Sequence, residues 1–222
     1  NLEARDLKCF IEVQTASGHI FLTNMNGEFK CRTASGEIEA KNLQGEMEFG
    51  TASGDVELSG FSGAIEIGSA SGRIKAENVK GEIELGTASG RILLSHAAGE
   101  FDVDTASGAI DAREIEVNAR SEFSAASGDV EVSLARSLDH DLKLSSASGD
   151  AVLKFNKNPI KGLIKMTAKV RRGRIRAPFK FDDENYYYKW DDEYVTKTVA
   201  KGSDSPRIEI STASGTAELR ED

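Results

Sequence analysis

The chain is short of most residue types that announce a function. Three histidines, two cysteines, one tryptophan and three prolines are spread over 222 residues. His19, His96 and His140 are scattered, with no second ligand at metal spacing, so no metal centre or other cofactor is expected. Two cysteines are too few for a disulfide framework. Three prolines against 21 glycines point to many tight turns and not to a disordered tract. No apolar run approaches the roughly 20 residues of a transmembrane segment. A formal charge of -9 lacks the basic footprint of a nucleic-acid binder. No basic-then-apolar leader is present, and the chain opens at Asn1 without Met, so its start says nothing about compartment.

What the chain has is a repeat. Thr51-Ala52-Ser53-Gly54 or a one-letter variant recurs with its glycine at positions 18, 36, 54, 72, 90, 108, 128, 149 and 215. The first six copies are 18 residues apart, and the later steps lengthen to 20, 21 and 66. A second glycine falls halfway, at Gly27, Gly45, Gly63, Gly81 and Gly99. A fixed short period of this kind is the signature of stacked coils. From each glycine, apolar residues are expected to face inward at the second, fourth and seventh positions, the alternation of a short strand. Each coil therefore carries two short strands.

Stacking turns these positions into columns: Ile20, Ile38, Val56, Ile74, Ile92 and Ile110; Phe29, Met47, Ile65, Ile83 and Phe101; Cys31, Phe49, Ile67, Leu85 and Val103. The turn alanines, among them Ala34, Ala52 and Ala70, are expected to make a further inward column, with the flanking Thr and Ser hydroxyls outward. Leu22, Ala40, Leu58, Ala76, Leu94 and Ala112 alternate large and small, which implies duplication of a two-coil unit. Cys9 and Cys31 fall one rung and four residues apart, roughly 13 Å, beyond disulfide reach, so both are expected as free thiols. Asn24, Asn42, Gly60 and Asn78 share one column and read as turn residues that tolerate positive φ.

The pattern predicts an all-β, single-domain parallel β-solenoid of about eight or nine coils with a C-terminal β-hairpin elaboration. Residues 1–153 are the coils, 154–206 a hairpin insertion or cap, and 207–222 a final coil that closes the stack. The first coil presents an open strand edge, expected to pair with a segment preceding Asn1 or with another copy.

Function is much less legible. The turns carry hydroxyls but no carboxylate, so they do not resemble the calcium-binding nonapeptide roll. Glu48, Glu66, Glu84 and Asp102 form an outward acidic ladder that needs cations, a basic partner or plain solvation. The Thr and Ser ladder invites an ice-binding reading, though hydroxyls at turns more often bond nearby backbone. Residues 154–180 hold ten Lys or Arg and no acid. Beyond them lie Tyr186, Tyr187, Tyr188 and Trp190. With Arg171, Arg172, Arg174 and Arg176 these are the candidate partner-binding residues; the aromatic cluster reads either as the sugar-stacking platform of a glycan-binding or carbohydrate-active protein or as a hairpin minicore. An exposed periodic carboxylate column lacks the single acid of raised pKa that general acid chemistry requires, so no catalytic residue is expected.

With the repeat laid out, Thr33-Ala34-Ser35-Gly36-Glu37-Ile38, Thr51-Ala52-Ser53-Gly54-Asp55-Val56 and the terminal Ile208 to Gly215 resemble a bacterial family of adhesin-like β-solenoid domains of unknown function. The resemblance implies the fold over nearly the whole chain. It also implies a non-enzymatic scaffold of the cell envelope or cell surface, with an unidentified protein or a cell-wall polymer as partner. Ala in place of the commoner Val at the turn, and the basic insertion, depart from the family pattern.

Overall fold

The computed structural model describes residues 1–189 and 191–222; Trp190, one of the candidate residues, lies outside them. All regular structure among the described residues is strand, wound into one 17-stranded sheet of about eight turns. The strands are β1 (Leu2–Arg5), β2 (Lys8–Thr15), β3 (Ile20–Thr33), β4 (Ile38–Thr51), β5 (Val56–Ser69), β6 (Ile74–Thr87), β7 (Ile92–Ser107), β8 (Ile110–Val117) and β9 (Ser121–Ser127). They continue with β10 (Val130–Leu134), β11 (Leu142–Ser148), β12 (Ala151–Lys154), β13 (Gly162–Lys169), β14 (Gly173–Arg176), β15 (Asp183–Lys189), β16 (Asp192–Lys201) and β17 (Arg207–Arg220).

Register follows the sequence period without a slip through the strict repeats. Ile38 pairs with Val56 and Val56 with Ile74, while Met47 pairs with Ile65 and Ile65 with Ile83. Each coil has a first face after the Thr-Ala-Ser-Gly turn and a second face after the halfway glycine. Apart from the turn alanines, the predicted columns are buried, including the Leu22 to Ala112 column of alternating size. Each large apolar side chain buried this way contributes about 1.5–3 kcal/mol, and only because the next coil covers it. Cys9 and Cys31 are both free thiols, and burial pushes the Cys31 thiol up to about 11.

The corners are built differently from each other. At the first-face corner positive φ falls at the halfway Gly27, Gly45, Gly63, Gly81 and Gly99 and, earlier in the corner, at one left-handed residue per coil: Asp6, Asn24, Asn42, Gly60, Asn78, His96 and Glu114. That left-handed residue resets the strand alternation, so the seventh position (Met25, Leu43, Phe61) turns inward. At the other corner no such residue intervenes and the alternation simply continues. Thr33, Thr51, Ser69, Thr87 and Thr105 are therefore the buried residues, and Ala34, Ala52 and Ala70 are exposed. This reverses the inward alanines expected from the pattern.

Glycine is required at both corners by the coil before. A Cβ on Gly54 would sit 1.8 Å from the Gly36 carbonyl oxygen, and one on Gly45 1.9 Å from that of Gly27. The backbones approach too closely for any side chain.

The C-terminal end also departs from expectation. β17 does not close the stack but lies inside it, with Ile208 paired to Leu142 of β11 on one side and to Ile164 of β13 on the other. On the first face Ala217 sits likewise between Ala151 of β12 and Ile175 of β14. Beyond β13 the second face is extended by the antiparallel strands β16 and β15. Ile160, Ile175, Phe179 and Phe181 pack against this end of the core. At the opposite end, β1 and β2 pair with β3 and with no other described strand; Leu7 is exposed there, and Phe10 is exposed because it stands on the outer face beside Glu28.

Candidate functional site

Two regions of the outer second face concentrate side chains capable of binding. The first is the acidic ladder. Glu48 pairs with Glu66 and Glu66 with Glu84, and Glu84 pairs with Asp102. At the N-terminal end Arg32 bonds Glu48, and Lys30 lies 3.2 Å from Glu28. Partial desolvation, then the carboxylates of Glu66, Asp102, Asp104 and Glu82, push the Glu84 carboxyl above its usual range. Desolvation and Asp102 do the same to Asp104. Like charges one rung apart on adjacent strands are mutually destabilising. Alongside the ladder, Gly50, Gly68 and Gly86 occupy consecutive rungs and leave the sheet bare; a Cβ on Gly68 would meet nothing within 4 Å.

The second region spans β9, β11, β17, β13, β16 and β15, which follow one another across the sheet. Because side chains alternate along a strand, this register sorts the outward residues into three columns. One reads Glu122, Lys143, Glu209, Lys165 and compensates itself, with Lys143 2.6 Å from Glu122 and Lys165 3.6 Å from Glu209. The next reads Ser124, Ser145, Ser211, Thr167, Thr196, and the hydroxyls of Thr167 and Thr196 share a 2.9 Å hydrogen bond. The third ends in Lys169, Tyr194, Tyr187. The two tyrosine rings stack at 5.8 Å between centroids and 19° between planes. Together these columns, with Ala126, Ala147 and Ala213, bound an open groove of about 560 Å³ whose end wall is Tyr187, Tyr194 and Lys189.

Strand alternation divides the tyrosines read as one cluster in the sequence. Tyr187 faces the groove, whereas Tyr186 and Tyr188 point to the other side of β15, where the Tyr186 hydroxyl bonds Glu184 and Glu184 meets Lys197 at 2.9 Å. The arginines are not brought to the tyrosines. Arg171 and Arg172 lie in the β13–β14 turn, and Arg174 and Arg176 are exposed on β14, which pairs with the first-face half of β17. Elsewhere the basic insertion neutralises its own chain: Lys154 pairs with Glu131, Lys165 with Glu209 and Lys169 with Asp192. Tyr194 was not among the sequence candidates. The hairpin register that pairs Lys189 with Asp192 also places Tyr194 opposite Tyr187, so locating the turn would have found it.

The buried threonines take their hydroxyls out of the outward Thr and Ser ladder on which the ice-binding reading rests, and leave its serines, among them Ser35, Ser53, Ser71 and Ser89, exposed. Thr33 and Thr51 spend their hydroxyls on the amides of Gly36 and Gly54, each at 2.9 Å. Among the described residues no group of three or more His, Cys, Asp or Glu is placed to hold a metal ion, and no helix is long and apolar enough to cross a membrane.

The Toastrack DUF4097 family model matches residues 62–167. Over that span the chain is similar to an uncharacterised domain family. The Toastrack match runs from the second half of β5 into β13, so it takes in the β9, β11 and β13 part of the groove floor but stops before Tyr187, Tyr194 and β17. It is shorter than the near-complete resemblance read from the repeats. Comparison with curated proteins and with solved structures finds no match.

Proposed function

We propose that the protein is a non-enzymatic scaffold of the cell envelope or cell surface, an adhesin-like solenoid that presents its repetitive outer face to a partner. The observation that carries this reading is the ladder of Glu48, Glu66, Glu84 and Asp102, held at one-rung intervals on a sheet whose register does not slip. Burial first, and then repulsion from neighbouring carboxylates, raises the Glu84 and Asp104 carboxyls there. A partner protein or surface polymer with cations at a similar spacing relieves that repulsion on binding, and gains affinity from every rung it spans. The bare Gly50, Gly68 and Gly86 strip lets such a partner approach the sheet closely.

Co-sedimentation with isolated bacterial cell walls and with polylysine-coated beads, over a range of salt, tests the reading. Binding is expected to weaken with salt and to be lost in the triple variant Glu66→Gln, Glu84→Gln, Asp102→Asn. Undiminished binding by the triple variant, or no binding to either surface at low salt, rejects it. So does hydrolysis of a polysaccharide by the purified protein.

A further inference from the structure

We infer that the groove ending at Tyr187 and Tyr194 is a carbohydrate-binding site for an extended chain of neutral pyranose sugars. This site is separate from the acidic ladder and does not depend on it.

Three features converge on that ligand class. The first is the aromatic end wall. Tyr187 covers one face of Tyr194, and the next outward residue on the groove side is Lys169, whose ammonium lies 2.5 Å from Asp192. A tyrosine face is electron-rich, and the axial C–H bonds of a pyranose carry the complementary partial positive charge. A stacked pair holds its rings at a fixed angle, so this platform is organised before a ligand arrives. The second is the hydroxyl column. Ser124, Ser145, Ser211 and Thr167 recur once per rung, about 4.8 Å apart, close to the length of one hexose in an extended polysaccharide. Ser124, Ser145 and Ser211 thus each offer a hydroxyl to a successive sugar, and Thr167, already bonded to Thr196, adds its remaining hydrogen-bonding capacity, without a side chain bulky enough to lift the chain off the floor. The third is charge. The flanking Glu122, Lys143, Glu209 and Lys165 neutralise one another in sequence, unlike the unrelieved acids further along the same face. Side walls that are polar but locally neutral, with Lys189 the one cation of the end wall, favour a neutral polymer over a polyanion or a basic peptide. The groove volume of about 560 Å³ is in the range of binding clefts and suits two or three sugar units.

The test is calorimetric titration of the full chain with cellohexaose and chitohexaose, with a lysine-rich hexapeptide and heparin hexasaccharide as the charged alternatives. Binding of at least one neutral hexaose is expected, together with loss of about tenfold or more in affinity for Tyr194→Ala and Tyr187→Ala. Tyr194→Phe is expected to retain most of the affinity, because it keeps the stacking face, and this separates a lost platform from a lost fold. Tyr186→Ala, on the other side of β15, is expected to bind like the parent protein. Failure of both neutral hexaoses overturns the inference, as does binding confined to heparin or the peptide. Hexaose binding that survives Tyr194→Ala in a folded variant also overturns it.

Discussion

The Thr51 hydroxyl accepts the Gly54 amide hydrogen at 2.9 Å inside the wall of the solenoid, and this bond is what the repeated tetrapeptide is for. The same bond recurs from Gly18 to Thr15, Gly36 to Thr33, Gly72 to Ser69 and Gly90 to Thr87. It stops where the period lengthens from 18 to 20. There the Gly108 amide donates to the Ser127 carbonyl instead, and the Thr105 hydroxyl is buried without a partner among the described residues.

The two threonines should therefore respond oppositely to the same isosteric change. Thr51→Val strands a buried amide and is expected to cost about 1–3 kcal/mol. Thr105→Val removes an unpaired buried hydroxyl and is expected to be neutral or stabilising. Urea denaturation of the two variants measures this directly. Equal losses would mean that the hydroxyls serve only as space fillers.

Glycines in the same sheet should separate just as sharply. Gly54→Ala places a methyl 1.8 Å from the Gly36 carbonyl oxygen and is expected to unfold or severely destabilise the array. Gly68→Ala meets nothing within 4 Å and its φ is ordinary, so it is expected to stabilise by about 0.4–1 kcal/mol through the unfolded chain. Thermal melts of the pair decide it. A loss of stability in Gly68→Ala would mean that the bare strip itself supports the fold.

The contrast explains what could be read from the chain and what could not. Ile20, Ile38, Phe29 and Phe49 declare themselves because strand alternation and an 18-residue period coincide at those positions. Ala52 misleads because a small apolar residue beside a glycine looks inward, whereas the deciding fact is the continued alternation from Phe49 to Thr51. That fact depends on the run from Met47 to Thr51 containing no residue of positive φ such as Asn42 supplies at the other corner. The insertion of β17 between β11 and β13 brings Ile208 beside Ile164, 44 residues earlier, and Leu142, 66 residues earlier, with no local signal. The division of Tyr186, Tyr187 and Tyr188 between two faces follows from alternation alone, but the partner of Tyr187 follows only from the hairpin register.

The left-handed corner offers a stabilising substitution. Asn42 donates to Asn24 at 3.1 Å and Asn24 to Asp6 at 3.0 Å, a ladder that the corner geometry favours. His96 holds the same conformation at φ 51° without the local hydrogen bonding that lets Asn occupy it cheaply. His96→Asn is expected to stabilise by roughly 1 kcal/mol, with its amide in reach of Asn78 one coil below. A melting temperature at or below that of the parent would count against the ladder.

The acidic face sets a pH dependence of definite sign. Folded Glu84 binds its proton more tightly than the unfolded chain does, because desolvation and neighbouring carboxylates oppose its charge. Its ionised form therefore costs stability above the folded-state pKa, and the cost vanishes once pH falls below the unfolded value of about 4.3. Glu84→Gln is expected to melt higher than the parent at pH 7, with the gap closing toward pH 4 and also on adding salt. A gap independent of pH would locate the effect in packing instead of charge.

The internal position of β17 makes the C-terminus a keystone for everything beyond β12. With residues 207–222 removed, β11 and β13 would stand two strand spacings apart, about 9.5 Å, too far for any backbone hydrogen bond. β13 would keep only its antiparallel neighbour β16, and β14 would lose the one strand it pairs with. The earlier coils retain their own ladders, in which each coil depends on its immediate neighbours. A chain ending at Pro206 is therefore expected to keep hydrogen-exchange protection through β3 to β8 and to lose it across residues 162–201. The isolated hairpin of β15 and β16 cannot hold itself together in water, since two strands alone are marginal. The groove should go with it, because its floor loses Ser211 and its end wall loses the sheet that fixes Tyr194. Protection of β13 at parental levels in the shortened chain would show that the cap assembles on β11 and β12 by another route.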